Sequence, residues 1–206
     1  MSIALGVLIS GRGSNLVAIL DAIDRGSLDA TLKVVASNKP DAAGLARAKE
    51  RGFPTVYLDP KPFAREANPR EAYDLAMGAL LQQYEVEYVA LAGYMRIVTP
   101  ALIRMYPSKI LNIHPSLLPA FPGLEAQRQA LEWGTKVSGC TVHLVTEGVD
   151  EGPIILQAAV PILEGDTVES LSARILEKEH ECYPQALQLM AEKRLHVEGR
   201  TVHILS

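Results

Sequence analysis

The residues best suited to chemistry are in the segment Asn112-Ile113-His114-Pro115. In a strand, residues two apart share a face, so Asn112 and His114 point the same way. Pro115 has no N–H and cannot continue a central strand, which puts His114 at the strand's carboxyl end. An amide donor beside an imidazole suits a developing oxyanion and a proton transfer near neutral pH. The same pair also reads as a histidine satisfied by backbone beside an asparagine that helps a turn. Asp150 is the third candidate, in a turn flanked by Gly148 and Gly152 that is able to approach other strands. A carboxylate beside His114 would raise its pKa and orient the ring. Alone, an aspartate in a turn is a turn-former.

A second group is the loop Ser10-Gly11-Arg12-Gly13-Ser14-Asn15. Placed between a strand and a helix, it offers free backbone N–H groups and a helix dipole to an anion. Gly13 permits close approach, and Ser14 and Asn15 add side-chain donors. Leu16 stands where a dinucleotide fingerprint needs its third glycine, and Ser37-Asn38-Lys39 lacks the ribose-binding acid, so a single phosphate fits better. A tight turn capped by Ser14 or Asn15 fits equally well. Glu179 interrupts the apolar stripe Leu171, Ile175, Cys182 or Tyr183, Ala186. An acid there is costly unless paired, so it either receives a substrate amine or amide or forms a structural ion pair. His143 reads as a partly buried structural histidine near the site. The five histidines have no metal-ligand spacing, and no metal is expected.

Alternating strand and helix patterns must position these groups. Ile3–Ile9, Leu32–Ala36, Thr55–Leu58, Tyr88–Leu91 and Ile110–Ile113 read as buried parallel strands. Leu16, Ile19, Leu20 and Ile23 mark one helix, Ala43–Arg51 a second, and Tyr73, Met77, Leu80, Leu81 and Tyr84 a third. This is a doubly wound, mostly parallel α/β sheet with ligands at the strands' carboxyl ends. Val137–Val145 and Ile154–Val160 look like antiparallel additions. A long helix, about Thr167–Arg194, follows, with Asp166 and Glu169 resembling a capping box. Pro60–Pro69 reads as a mobile loop.

The 206 residues suggest one domain, with a phosphate-binding half over about 1–100 and a cofactor-binding, catalytic half over about 101–206. A 48% hydrophobic composition and a net charge of −4 exclude disorder. The acidic balance and sparse aromatics argue against nucleic acid. No apolar stretch approaches a membrane span, and no basic leader precedes the first strand. Cys140 and Cys182 suit a reduced, cytoplasmic protein.

Taken together, Ile9–Leu16, Leu91–Ile97 (LAGYMRI), Leu111–Gly123 (LNIHPSLLPAFPG), Gly139–Gln157, Pro69–Asp74 and Glu179-His180 resemble the folate-dependent phosphoribosylglycinamide formyltransferases over nearly the whole chain. The resemblance implies a Rossmann-like formyltransferase fold. It also implies transfer of a formyl group from 10-formyltetrahydrofolate to the amine of 5′-phosphoribosylglycinamide, in purine synthesis. Asn112, His114 and Asp150 would be the catalytic set. Gly13, Ser14 and Asn15 would hold the phosphate, and Lys178 and Glu179 the glycinamide and ribose end. Folate would lie against Met95, Arg96, Ile97 and Val98 and against Thr146, Glu147, Gly148, Val149 and Asp150, with Arg70 reaching it from its loop. Asn112 and a protonated His114 would steady the oxyanion, with Asp150 keeping His114 protonated. A homodimer is compatible with the family precedent.

Glu125-Ala126-Gln127 stands where some members begin a His-x-His-like stretch, and Glu125 could instead form a salt bridge. Two other folate-handling enzymes resemble this chain less. A formyltetrahydrofolate deformylase typically adds an N-terminal domain and differs after the catalytic histidine. A methionyl-tRNA formyltransferase needs a C-terminal RNA-binding domain. A non-catalytic folate- or phosphoribosyl-binding protein would not need all three of Asn112, His114 and Asp150.

Overall fold

The structure, a computed structural model, describes residues 2–206. β1 (Ile3–Ile9) runs through the glycine loop into α1 (Ser14–Asp24). There follow β2 (Ala30–Ser37), α2 (Ala43–Glu50), β3 (Thr55–Tyr57), α3 (Pro69–Gln83), β4 (Tyr88–Leu91), α4 (Pro100–Met105) and β5 (Ile110–His114). α5 (Ala126–Glu132) leads to the hairpin of β6 (Val137–Leu144) and β7 (Ile154–Pro161), then to α6 (Val168–Ala191), β8 (Leu195–Glu198) and β9 (Thr201–Ile204).

β1 to β7 form one sheet in the order β3-β2-β1-β4-β5-β6-β7. The first five strands are parallel, and β6 and β7 are antiparallel. The chain winds outward from β1 to β3, then restarts on the other side with β4. The strand order therefore reverses beside β1, which is where a crevice opens at the carboxyl ends. Both faces are covered. Val7, Ile9 and Leu111 pack with Leu16, Ile19, Ile175 and Leu187 on one side. Leu8, Val89 and Ile110 pack with Tyr73, Met77, Leu81 and Leu102 on the other. Burial on both faces explains the continuous apolar runs.

α6 carries Pro184 in its interior. A proline there costs about 3 kcal/mol in hydrogen bonding and sterics. The buried stripe of Leu171, Ile175, Tyr183, Leu187 and Met190 offsets it. The Tyr183 hydroxyl lies 3.0 Å from the carbonyls of both Leu91 and Leu111, fastening α6 beneath β4 and β5.

Two local expectations are corrected. The cap of α6 is Thr167 with Ser170, each side chain bonding the other's backbone N–H. Asp166 is engaged by the Arg174 guanidinium at 2.7 and 2.9 Å, and by Leu163 N–H. α6 ends at Ala191, and the residues beyond form a β8–β9 hairpin that bends at Gly199-Arg200. The segment 60–69 contains a 3-10 helix over Lys61–Arg65, with Phe63 set edge-on to Tyr73 at 5.5 Å. No helix among the described residues is long and apolar enough to cross a membrane.

Candidate active site

β5 delivers Asn112 and His114 to the carboxyl end of the sheet, as the alternation requires. Antiparallel pairing sets His143 opposite Asn112 and Thr141 opposite His114. The loop between β6 and β7 then swings Asp150 over the end of β5. Gly152 makes this possible, because a Cβ there would lie 1.7 Å from the Leu144 carbonyl oxygen. Asp150 itself sits at φ 56, a left-handed conformation that costs a non-glycine residue about 1–3 kcal/mol.

His114 is 4% exposed. Its Nε2 lies 2.8 Å from the Phe121 carbonyl, which can only accept, so this nitrogen carries a proton. Its Nδ1 faces Asp150 Oδ2 at 3.3 Å. The Ser116–Leu118 turn on the way to Phe121 is held by a polar network. Thr141 Oγ1 donates to the Ser116 carbonyl at 2.7 Å, and accepts from Leu118 N–H at 3.0 Å and Gln157 Nε2 at 2.9 Å.

Burial lowers the His114 pKa; Asp150 and the Phe121 carbonyl oppose that without overcoming it. Asp150 pulls it upward as expected, but the net shift is downward, which corrects the expectation of a ring kept protonated at rest. The resting ring is therefore neutral at pH 7, and it has acceptors ready on both nitrogens for the imidazolium. Burial alone would raise the Asp150 pKa, but the His143 ring, the Gly123 N–H at 2.8 Å and His114 outweigh it, and the carboxyl is held below its ordinary value.

His143, expected near the site as a partly buried structural histidine, is 2% exposed and belongs to this cluster. Its Nδ1 donates to the Leu144 carbonyl at 2.9 Å, leaving Nε2 to accept from Asn112 Nδ2 at 3.2 Å. The second hydrogen of Asn112 Nδ2 meets Asp150 Oδ1 at a long 3.4 Å. That weak contact leaves one amide hydrogen for an incoming oxyanion. The strand register was the signal for His143, and pairing partners cannot be read from one strand.

The glycine loop starts α1. Gly13 has φ 74, and a Cβ there would come within 2.7 Å of Gly44 Cα. Ser14 lies in the first turn, partly exposed. Asn15 differs from expectation, because its Nδ2 donates to Glu179 Oε2 at 2.7 Å and both side chains are buried. Glu179 therefore pairs with an amide and not with a cation, and burial raises its pKa against that hydrogen bond. Lys178 turns to Glu181 at 2.8 Å.

The segment after β4 adjoins Asn112, since Leu91 pairs with it. Met95 (64%) and Ile97 (54%) are exposed, and Val98 is buried. The Arg96 guanidinium lies over the Tyr73 ring, 4.1 Å from its centroid. On the β6–β7 loop, Thr146, Glu147 and Val149 are exposed and Gly148 is half-buried. Arg70 is exposed in the first turn of α3 and not on a loop. Glu125 pairs with Arg128 at 3.5 Å. Among the described residues, no group of three or more His, Cys, Asp or Glu side chains is placed to hold a metal ion.

Residues 3–187 match the formyl transferase family. The chain belongs to that family. A glycinamide ribonucleotide transformylase 1 from Symbiobacterium toebii is similar in structure, at 57% identity and TM-score 0.96 over 100% of this chain and 95% of the other. The phosphoribosylglycinamide formyltransferase of Escherichia coli is 46% identical over 92% of this chain and 87% of its own. The trifunctional purine biosynthetic protein adenosine-3 of Drosophila pseudoobscura pseudoobscura is 48% identical over 93% of this chain, which spans only 14% of that protein's length. A formyltetrahydrofolate deformylase from Pseudomonas syringae is a more distant neighbour, at 26% identity with TM-score 0.91, and this formyl transferase covers 67% of it.

Proposed function

We propose that this formyl transferase moves the formyl group of 10-formyltetrahydrofolate to the amine of 5′-phosphoribosylglycinamide, yielding formylglycinamide ribonucleotide and tetrahydrofolate in purine synthesis. The observation that carries this reading is the convergence of Asn112, His114 and Asp150, within 3.3–3.4 Å, in a chain of this family. The 206 residues act as one domain, with about 1–100 chiefly holding phosphate and about 101–206 binding folate and supplying catalysis.

The substrate amine attacks the formyl carbon, so no enzyme nucleophile is needed. A carbon–nitrogen bond forms, and the carbonyl electron pair moves to oxygen. Asn112 donates to that oxygen the amide hydrogen that Asp150 holds only at 3.4 Å, an interaction whose loss typically costs about 10²–10³ in turnover. Neutral His114 accepts the proton shed by the amine, and Asp150 stabilises the imidazolium at Nδ1. The folate nitrogen leaves with the electron pair of the breaking bond and takes up that proton. Gly13 and Ser14 hold the phosphate at the α1 N-terminus. Asn15 orients Glu179 towards the glycinamide end, and Lys178 adds a cation at that end. Met95 and Ile97, with Arg96 and Val98 fixing their backbone, seat the pterin against Thr146–Asp150, and Arg70 meets the folate carboxylates.

The deciding experiment follows folate absorbance with and without phosphoribosylglycinamide. Cofactor consumption that requires the amine is expected. Consumption without it would establish a deformylase, and no consumption a binding protein. Sedimentation of the same preparation tests the homodimer, and thiol titration of Cys140 and Cys182 in lysate tests a reducing, cytoplasmic location.

A further inference from the structure

We propose that Ser10 is a positioning residue that couples the two substrate loops, so that the phosphorylated amine and the folate bind cooperatively. This rests on the reading above, in which Gly13 and Ser14 seat the phosphate and residues 95–98 the pterin.

Ser10 follows β1 at the point where the strand order reverses, between β2 and β4. Its N–H donates to the Gly93 carbonyl at 3.0 Å. Its hydroxyl accepts from Met95 N–H at 2.8 Å and donates to Asn38 Oδ1 at 2.5 Å. Asn38 follows β2 and is 7% exposed, so the acceptor that aims the hydroxyl is itself fixed. One residue thus fastens the loops leaving β1, β2 and β4. The glycine loop is tied in turn to α2, where Gly44 N–H meets the Gly11 carbonyl at 3.1 Å.

A phosphate seated on Gly13 and Ser14 braces the loop that carries Ser10, and with it the hydroxyl's hold on Met95 N–H. A pterin seated on 95–98 needs Met95 N–H held in place. Each ligand therefore does part of the ordering that the other requires, which is positive coupling through a shared element. A serine that only completes the fold would shift stability and leave the two affinities independent of each other.

The test is calorimetric titration with a folate analogue carrying carbon in place of its N10 nitrogen, with and without phosphoribosylglycinamide. The wild type is expected to bind the analogue about tenfold more tightly when the amine is present, within the usual range for coupled sites. In Ser10→Ala this ratio falls to about twofold or less, and Ser10→Thr, which keeps a hydroxyl, restores it. Asn38→Ala removes the aiming acceptor, lowers the ratio as well, and decides the matter if Ser10→Ala does not fold. A ratio unchanged from wild type in both alanine variants, or a wild-type ratio of one, overturns the proposal. Wild-type turnover that depends on the amine would leave the assigned reaction standing in either case.

Discussion

Nδ1 of His114 lies 3.3 Å from Oδ2 of Asp150, although one residue ends a central strand and the other hangs from an antiparallel hairpin. Burial lowers the histidine's pKa while Asp150 raises it. The working acid limb of kcat/KM is thus set by a ring whose pKa lies below the ordinary 6.5. Asp150→Asn removes the upward pull, so the limb moves to still lower pH. Turnover at the plateau falls about 10²–10⁴-fold, because the imidazolium formed during attack loses its counter-charge. The check is a pH–rate profile of both proteins, and a limb that stays in place removes Asp150 from the proton-transfer pair.

Asn112 depends on His143 in the same way that His114 depends on Asp150. Without the acceptor at 3.2 Å, the amide is free to rotate away from the oxyanion position. His143→Ala is expected to lower kcat by about 5–30-fold, the equivalent of one to two kcal/mol. KM for either substrate should change little, since His143 binds neither. Asn112→Ala costs about 10²–10³ in kcat. If His143 acts only through Asn112, the double variant is no slower than Asn112→Ala alone. Multiplicative losses would show that His143 has its own role.

The central strand was readable because its chemistry is local. A histidine two residues from an asparagine and followed by proline can only end a strand with both side chains on one face. The antiparallel register is not local, so His143 could not be assigned to Asn112 from the sequence. The Asn15–Glu179 hydrogen bond joins α1 to α6, and only tertiary packing reveals that a donor expected for phosphate is already committed. The net direction of the His114 shift is not local either: a sequence shows that a carboxylate exists, whereas burial depends on everything packed around the ring. The β8–β9 hairpin is hidden in the sequence because the helical pattern runs on past Ala191, where Lys193 turns left-handed at φ 56.

The glycine loop offers a paired comparison. A Cβ on Gly11 would meet nothing within 4 Å, whereas one on Gly13 would press on Gly44 Cα at 2.7 Å from a backbone at φ 74. Gly13→Ala should therefore cost at least about 2 kcal/mol, from left-handed strain and backbone overlap together. That is a drop of roughly 4–8 °C in Tm for a chain of this size. Gly11→Ala should melt within a degree or two of wild type. Thermal denaturation followed by circular dichroism decides this, and equal melting of the two variants would contradict the close approach of the α1 and α2 starts.

Glu179 gives a stability prediction whose sign follows from linkage. Burial raises its folded-state pKa above the ordinary 4.5, against the hydrogen bond from Asn15. Above 4.5 the unfolded chain releases this proton more readily than the folded one, so the folded state holds more protons and loses stability as pH rises through the folded pKa. Glu179→Gln keeps the volume and an oxygen to accept from Asn15, and it never bears the buried charge. It should melt above wild type at pH 8, with an advantage that shrinks as pH falls and vanishes near the ordinary glutamate value. Its KM for the phosphorylated amine should rise, because the carboxylate that faces the glycinamide end is gone. Melting curves at several pH values test the first claim. A gap between the two proteins that does not vary with pH would mean that the carboxyl is already solvated or paired in the folded state.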